Sequence, residues 1–497
     1  MTGTEGAIDR LDALFSTWVV APIESVIFFD VAWWDEGLEL PLVVLWLILG
    51  ASFFTLRFQF VNVWGFRHAI DCLRGRYTRP DEAGEISHFQ ALSAALSATV
   101  GLGNIAGVAF AIGIGGPGAV FWMVLAGFLG MTSKFAECSL AQKYKTVRAD
   151  GHVSGGPMHY LKDGLAELGL PRLGAFLAPL FAVMCIGGSF GGGNMYQANQ
   201  SYVQVSTVLP FLANTAGALF FGLLLATLVG LVIVGGIRRI GEVAAALVPF
   251  MCGLYLVCGF AILAVNAHAL LPGLATIVEH AFSWQAGAGG TAGALIQGFR
   301  RAAFSNEAGC GSAAIAHSAA RTDEPLREGM VALLEPFIDT IIVCAMTGLV
   351  VVVTGVWDDP ETGRGIAMTS AAFATVFPWF PVLLSFTAFL FAFSTMISWS
   401  YYGEQCWVHL FGVRSILIYQ GIFLAFAWAG SLFEATAVVN FGDVMILGMA
   451  FPNLLGVMLL SGRLKADLDV YRRRLRAGEF PRQDRGPDRT GERVTAA

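Results

Sequence analysis

The sequence predicts an all-α, polytopic membrane protein of about eleven transmembrane helices, and three observations carry that expectation. The chain is 56% hydrophobic and only 13% charged, with a mean hydropathy of +0.66, whereas soluble chains carry roughly a quarter charged residues. Its apolar runs repeatedly reach the roughly 20 residues that cross a hydrocarbon core. Lysine and arginine, in turn, gather in every second segment between those runs.

The runs fall at about 40-56, 88-113, 117-142, 174-205, 212-236, 242-267, 292-320, 329-354, 381-408, 413-431 and 440-461. Between Gly174 and Ile237 there is no charged residue, and that length is enough for two passes with a turn near Pro210. Basic residues cluster at Arg57 to Arg79, at Lys143 to Arg172, at Arg238 and Arg239, at Arg321 and Arg327, at Arg414, and in ten positions from Arg463 onward. These clusters hold 25 of the 30 lysines and arginines, and the alternate loops hold only Arg10 and Arg364. The positive-inside rule makes the clustered side cytoplasmic, so the expected location is the cytoplasmic (inner) cell membrane, with the N-terminus outside and the C-terminus inside. The acidic loops at Trp357 to Glu361 and around Glu434 fit the outer side. The expected divisions are an extracytoplasmic segment 1–39, one membrane domain 40–461 and a disordered basic tail 462–497. The mixed, acidic start differs from a leader with a basic end and a short apolar stretch; none is expected. The eight cysteines include no CxxC pair, which implies neither zinc nor disulfides.

The second and seventh runs share a pattern. Ser97-Ala-Thr-Val-Gly-Leu-Gly-Asn104 and Ser305-Asn-Glu-Ala-Gly-Cys-Gly-Ser312 both read Ser, three residues, Gly, one residue, Gly, then a small polar residue. They lie five runs apart, so they cross in opposite directions and form an inverted repeat. Two nearby glycines weaken a helix by about 1 kcal/mol each. Unwound backbone at membrane depth survives only where it is buried in protein or lines a wet cavity. Close packing through small residues explains one such motif; a matched pair in inverted halves points to a transporter binding site.

Four stretches carry a family resemblance: "LSATVGLGNIAGVAFAIGIGGPGAVFWM", "SGGPMHYL", "FSNEAGCGSAAIAHSAARTD" and "SWSYYGEQC". In these the chain resembles the alanine/glycine:cation symporters of the amino acid, polyamine and organocation superfamily. The resemblance implies a ten-helix core of two inverted five-helix repeats, here about 88–267 and 292–461, with the first span added in front. It implies sodium-coupled symport of alanine or glycine into the cytoplasm, with Na+ as the coupling ion. A more distant similarity, through "VGLGN" at Val100 to Asn104, is to the neurotransmitter:sodium symporters. It implies that the amides of Leu102 and Gly103 hold a substrate carboxylate and that Asn104 ligates sodium. Carbonyls of Ser97 and Val100 would complete a second sodium site with the adjacent hydroxyls of Ser394 and Thr395. Amides at a half-helix N-terminus do suit an anion.

Other candidates are weighed on their own chemistry. Ser394 and Thr395 lie roughly 20 Å into their span at 1.5 Å per residue, a midplane depth, where hydroxyls otherwise bond their own backbone. Phe304, Ser305 and Asn306 offer acceptors to a substrate ammonium, opposite the donors around Thr99, Gly101, Leu102, Gly103 and Asn104. Asn194 and Gln197 share a helical face, with Gln197 the better ligand candidate, and Trp399 is read as a wall that keeps the pocket small. Lys134 and Glu137, three apart, are read as an ion pair. Glu307, Glu335 and Asp339 are costly intramembrane carboxylates; Glu307 either neutralises the ammonium or joins a structural network, and Asp339 serves either a cation or proton path or a neighbouring helix. Arg300 and Arg301 either gate the outer face or snorkel to it.

No HExxH, Walker-type loop or nucleophile elbow occurs, and no enzymatic activity is expected. Nor is nucleic acid or an obligate protein partner; the expected partners are alanine or glycine and membrane lipid. Proton coupling through Glu307 or Asp339 is the rival within transport, and a channel the rival outside it.

Overall fold

In the computed structural model, residues 16–33, 40–79, 81–148, 151–283, 291–359, 362–432 and 435–482 are described. Each apolar run forms a helix or a broken helix. The helices are α1 (Leu42–Arg57), α2a (His88–Thr99) and α2b (Gly103–Gly115), α3 (Gly118–Lys143), α4 (Pro171–Val208), α5 (Thr215–Ile233) and α6 (Gly236–Val265). There follow α7 (Ala267–Phe282), α8a (Thr291–Asn306) and α8b (Ala313–Ser318), α9 (Pro325–Val353), α10 (Ile366–Ala374), α11 (Phe380–Phe411), α12 (Ile416–Gly430), α13 (Ala435–Gly448) and α14 (Ala450–Arg476). Among the described residues, eight helices are long and apolar enough to cross a membrane, and the bent pair α2a–α2b makes a ninth. The remaining two expected passes are α1, which is shorter, and the pair α8a–α8b. The turn expected near Pro210 lies there, between α4 and α5.

Local chemistry sets the helix ends around the two interruptions. Ser87 caps α2a reciprocally with Gln90: the Gln90 N–H donates to Ser87 Oγ at 3.2 Å and the Ser87 N–H to Gln90 Oε1 at 2.9 Å, satisfying two N-terminal donors at once. After the 12 residues of α2a, Val100 turns extended (φ −75°, ψ 90°), and α2b departs at 52°. The second interruption is sharper. Glu307, Gly309 and Gly311 all have positive φ (54°, 94° and 88°), which ends α8a; glycine meets the need cheaply, and a left-handed glutamate persists only where its surroundings hold it.

The inversion of the two motifs is visible in which residues face each other. Gly103 lies against Ser305 and Phe304, Gly107 against Arg301, and Gly115 against Gly293, Ala294 and Gln297. Residue numbers rise along α2b as they fall along α8a, so the two half-helices run antiparallel. Beyond the other half-helices, Ile86 pairs with Ala320, which places the start of α2a beside the end of α8b.

Close approaches through small residues build the interior, as in membrane bundles. A Cβ on Gly127 would lie 2.9 Å from Thr340, and one on Gly130 2.8 Å from Ala308. The outer surface carries exposed Phe220, Leu223, Leu231, Phe250, Val257, Phe260, Leu417 and Ile418, the face a chain presents to lipid. One expectation fails: the tail is not disordered from Arg463. Helix α14 runs on to Arg476 with Leu464, Leu468 and Tyr471 buried, because these apolar residues recur at helical spacing, and Tyr471 docks on His68 in the segment after α1; residues 483–497 lie outside the described set.

A Gly298→Val variant tests the α3–α8a seam, since a Cβ there would sit 2.7 Å from both Ala119 O and Trp122 Cβ. Overpacking costs about 1–3 kcal/mol. The purified protein should unfold at a lower temperature in a thermal scan, with Gly421→Ala, which meets nothing within 4 Å, as the unaffected control.

Candidate functional site

The two interruptions meet in the middle of the bundle, and the groups between them are buried. Asn104 spans the first break by accepting the Gly101 N–H at Oδ1, 2.8 Å. Its Nδ2 donates to Asp339 Oδ1 at 2.6 Å and to the Asp339 carbonyl at 3.1 Å. From the second break, Ser305 Oγ donates to Asp339 Oδ2 at 3.0 Å, and Thr340 Oγ1 to the same oxygen at 2.7 Å. Asn306 Nδ2 donates to Thr340 Oγ1 at 2.8 Å. Asp339, fully buried on α9, therefore joins both broken helices.

On the other side of the first break the arrangement is unsaturated. Thr395 Oγ1 and Gln197 Oε1 are buried and have no hydrogen-bond partner, although a buried oxygen without a donor costs about 1–3 kcal/mol. Both are aimed at Gly101: a Cβ there would lie 2.6 Å from Thr395 Oγ1 and 3.4 Å from Gln197 Oε1. Gln197 is held by donating from Nε2 to the Gly192 carbonyl at 3.0 Å. Ser97 Oγ donates to the Ser394 carbonyl at 2.6 Å, while Ser394 Oγ bonds Phe391 O at 3.0 Å and faces Ser97 O at 3.5 Å. Here lie an aligned carbonyl, two hydroxyls and an amide oxygen, all hard donors of the kind that suit a hard cation. Thr99 bonds its own helix through the Ala95 carbonyl, 3.2 Å, and Val100 and Leu102 are fully buried.

Trp399 forms a wall that reaches the second break. Its indole N–H donates to Glu307 Oε1 at 3.1 Å, Ser312 Oγ donates to Glu307 Oε2, and Tyr402 meets the ring edge-to-face at 5.4 Å. Gly193 makes room for the ring, since a Cβ there would lie 2.3 Å from Trp399 Cγ. Between the breaks, a Cβ on Gly103 would touch Ser305 and Phe304 at 3.6 to 3.8 Å, so the gap at that point is about one methyl wide. Phe304 is itself packed edge-on by Tyr196 at 5.8 Å.

Sequence reasoning is corrected in two places, at Lys134 and at Asn194, and an alternative left open is decided at Arg300 and Arg301. Lys134 pairs with Glu335 at 2.9 Å rather than with Glu137, and Glu137 accepts from Asn453 Nδ2 at 2.8 Å. Asn194 faces away from the breaks and donates to the Phe423 carbonyl at 2.7 Å, because the wide turn at Gly191–Met195 rotates it off the face of Gln197. Arg300 and Arg301 do not snorkel: their guanidiniums reach Asp443 Oδ2 on α13 at 2.9 and 3.1 Å, with Phe28 stacked on Arg300 at 4.3 Å. Asp339 bonds neighbouring helices, one of the two roles open to it in the sequence, whereas Asp443 was missed; its signal in the sequence is a carboxylate inside an apolar run.

Antiparallel broken helices that enclose buried polar groups at mid-bundle are the architecture of a secondary transporter. The solved structure of MhsT in complex with L-phenylalanine has the same fold, at a TM-score of 0.53 and 16% identity, covering 77% of this chain and 99% of that one. The chain belongs to the sodium:alanine symporter family, whose model matches residues 26–485. It is 41% identical to the sodium/alanine symporter AgcS of Methanococcus maripaludis, over 86% of this chain and 93% of that protein. It is 34% identical to the probable sodium/glutamine symporter GlnT of Bacillus subtilis, over 88% and 89%. The protein is thus an amino acid symporter and a multi-pass membrane transporter, not an enzyme.

Gly193→Ala should displace Trp399 and loosen its bond to Glu307. The expected outcome is a lowered thermal unfolding midpoint together with a changed tryptophan emission, both measured on purified protein.

Proposed function

We propose that this protein carries small neutral amino acids, alanine and glycine first, into the cytoplasm by sodium-coupled alternating access. The observation that carries the reading is the pair of partnerless buried oxygens, Thr395 Oγ1 and Gln197 Oε1, aimed at the break of α2. Sodium at the carbonyls of Ser97 and Val100 and the hydroxyls of Ser394 and Thr395 gives the Thr395 oxygen its missing partner. A second sodium lies by Asn104, where Asp339 adds a charge that the sequence reading had left undecided. The substrate carboxylate docks on the amides of Leu102 and Gly103, beside Thr99 and Gly101, with Gln197 at its flank. Its ammonium faces Phe304, Ser305 and Asn306. Glu307 is engaged by Trp399 and Ser312, which favours its structural part over direct contact with substrate.

Orientation follows from charge. The basic loops and the helical part of the tail lie on the cytoplasmic side, the N-terminus outside, and the cluster of Arg300, Arg301 and Asp443 closes the outer path. The name of AgcS supports alanine and sodium; that of GlnT shows that relatives extend to larger side chains, so pocket size decides. Trp399 and the methyl-wide gap at Gly103 support a small substrate.

The deciding experiment is radiolabelled alanine uptake into proteoliposomes with an inward sodium gradient, and with choline in its place at fixed pH. Accumulation against the gradient is expected with sodium alone. Accumulation with choline and an inward proton gradient would instead assign coupling to a proton, and flux that never exceeds equilibrium would make the protein a channel. Within this assay, Ser394→Ala with Thr395→Ala should raise the sodium concentration for half-maximal uptake about tenfold, the equivalent of about 1.4 kcal/mol of lost ligation; unchanged dependence would return both hydroxyls to backbone bonding. Leucine should compete more poorly than glycine, because a missing methyl costs only about 1–3 kcal/mol whereas excess bulk clashes. Trp399→Leu should weaken alanine uptake and admit valine or leucine as competitors.

A further inference from the structure

Where α1 ends, the chain leaves exposed Leu56, Phe60 and Val63 and then forms a short helix, Phe66–Leu73. The extension of α14 returns over this helix. Between them is a cavity of about 730 Å³ lined by Trp64, Arg67, His68, Asp71, Arg76 and Arg482, among others. Its described lining is rich in guanidiniums. Among the described residues that line it, Arg67, Arg76 and Arg482 are three guanidiniums and Asp71 the carboxylate, paired with Arg76 at 2.7 Å and 4.0 Å from Arg482, whose Nε also donates to Tyr77 OH at 3.2 Å. Arg67 is exposed and makes no ion pair among the described residues. His68 adds no charge, since burial pushes its imidazole down to about 4 and its Nε2 bonds Tyr471 OH at 2.7 Å.

We propose that this cavity binds the headgroup phosphate of an anionic phospholipid. Guanidiniums are planar, permanently charged donors matched to phosphate oxygens. Leu56, Phe60 and Val63 supply the apolar surface along which the acyl chains run, and Trp64 has the amphipathic ring that settles at the lipid–water boundary. Basic pockets beside membrane helices on the positively charged side bind such headgroups. A soluble phosphate would gain from the arginines but not from the apolar collar, which is why the lipid is the favoured source.

Quenching of Trp64 by brominated lipid tests this directly, read as the difference between wild-type protein and Trp64→Phe in otherwise identical vesicles. Brominated phosphatidylglycerol at low mole fraction in phosphatidylcholine should quench the Trp64 signal strongly, and brominated phosphatidylcholine at the same fraction weakly. In Arg67→Gln combined with Arg482→Gln the phosphatidylglycerol fraction for half-quenching should rise on the order of tenfold, while cooperative thermal unfolding shows that the variant is folded. Equal quenching by the two lipids, or a preference that survives the double substitution, overturns the proposal. Displacement of phosphatidylglycerol by millimolar inorganic phosphate also overturns it, by making the cavity a site for the free ion.

Discussion

Everything in the interior follows from one constraint: a helix cannot be interrupted at membrane depth unless the groups it frees find partners inside the protein. Two interruptions placed opposite each other double the demand, and a single carboxylate meets much of it. Asp339 accepts from Asn104 on one broken helix and from Ser305 on the other, so neither break is stable in its observed form without the same residue on α9. Among the buried oxygens left without a partner, Thr395 Oγ1 and Gln197 Oε1 stand together on one side of the α2 break. Buried oxygens left without donors beside an unwound helix are where a polar ligand or cation has most to gain.

Steric limits place that remainder. Gly101 faces Thr395, Gly103 faces Ser305 and Phe304, and Gly193 faces the Trp399 ring; in each case a side chain would occupy space between a break and its wall. The glycines weaken the helices and also keep the space between them open, and the two effects cannot be separated by substitution at one position. Trp399 is fixed from three sides, by Gly193, Tyr402 and Glu307, so the size of the gap is set by rigid packing and not by a side chain free to change rotamer.

How much was legible in the sequence depended on range. The eleven apolar runs, the turn near Pro210 and the matched breaks were readable because length, apolarity and glycine spacing are local properties. Gln197 and Trp399 were placed beside the breaks by resemblance and by helical position, and they lie there. The partner of Lys134 was not readable: Glu137, one turn away, is the local choice, but Glu335 is 201 residues distant and wins by geometry. Asn194 was misjudged because a wide helical turn leaves no distinct mark beyond its three glycines. The tail looked disordered because its arginines dominate its composition, while Leu464, Leu468 and Tyr471 form a narrow apolar stripe that matters only once there is a surface to receive it.

The distribution of buried charge also ranks the seams of the molecule. Lys134 on α3 pairs with Glu335 on α9; His317 on α8b lies 2.6 Å from Glu328 and 3.6 Å from Glu335; and His88 at the head of α2a meets Glu328. Breaking a buried pair of this kind by removing one partner costs about 3–5 kcal/mol. Among the described residues, the polar links from these helices and the α8 break to α11 are neutral or charge-assisted hydrogen bonds, between Ser97 and Ser394 and from Trp399 to Glu307, each worth about 0.5–1.5 kcal/mol, or somewhat more where a carboxylate accepts. The ion pairs of Arg300 and Arg301 on α8a with Asp443 on α13 lie on the far side of the breaks from His88. In buried charge the four helices α2a, α3, α8b and α9 are thus tied to one another and not to α11, and the seam with α11, held by hydrogen bonds and packing, is the one that runs past the partnerless oxygens of the candidate site.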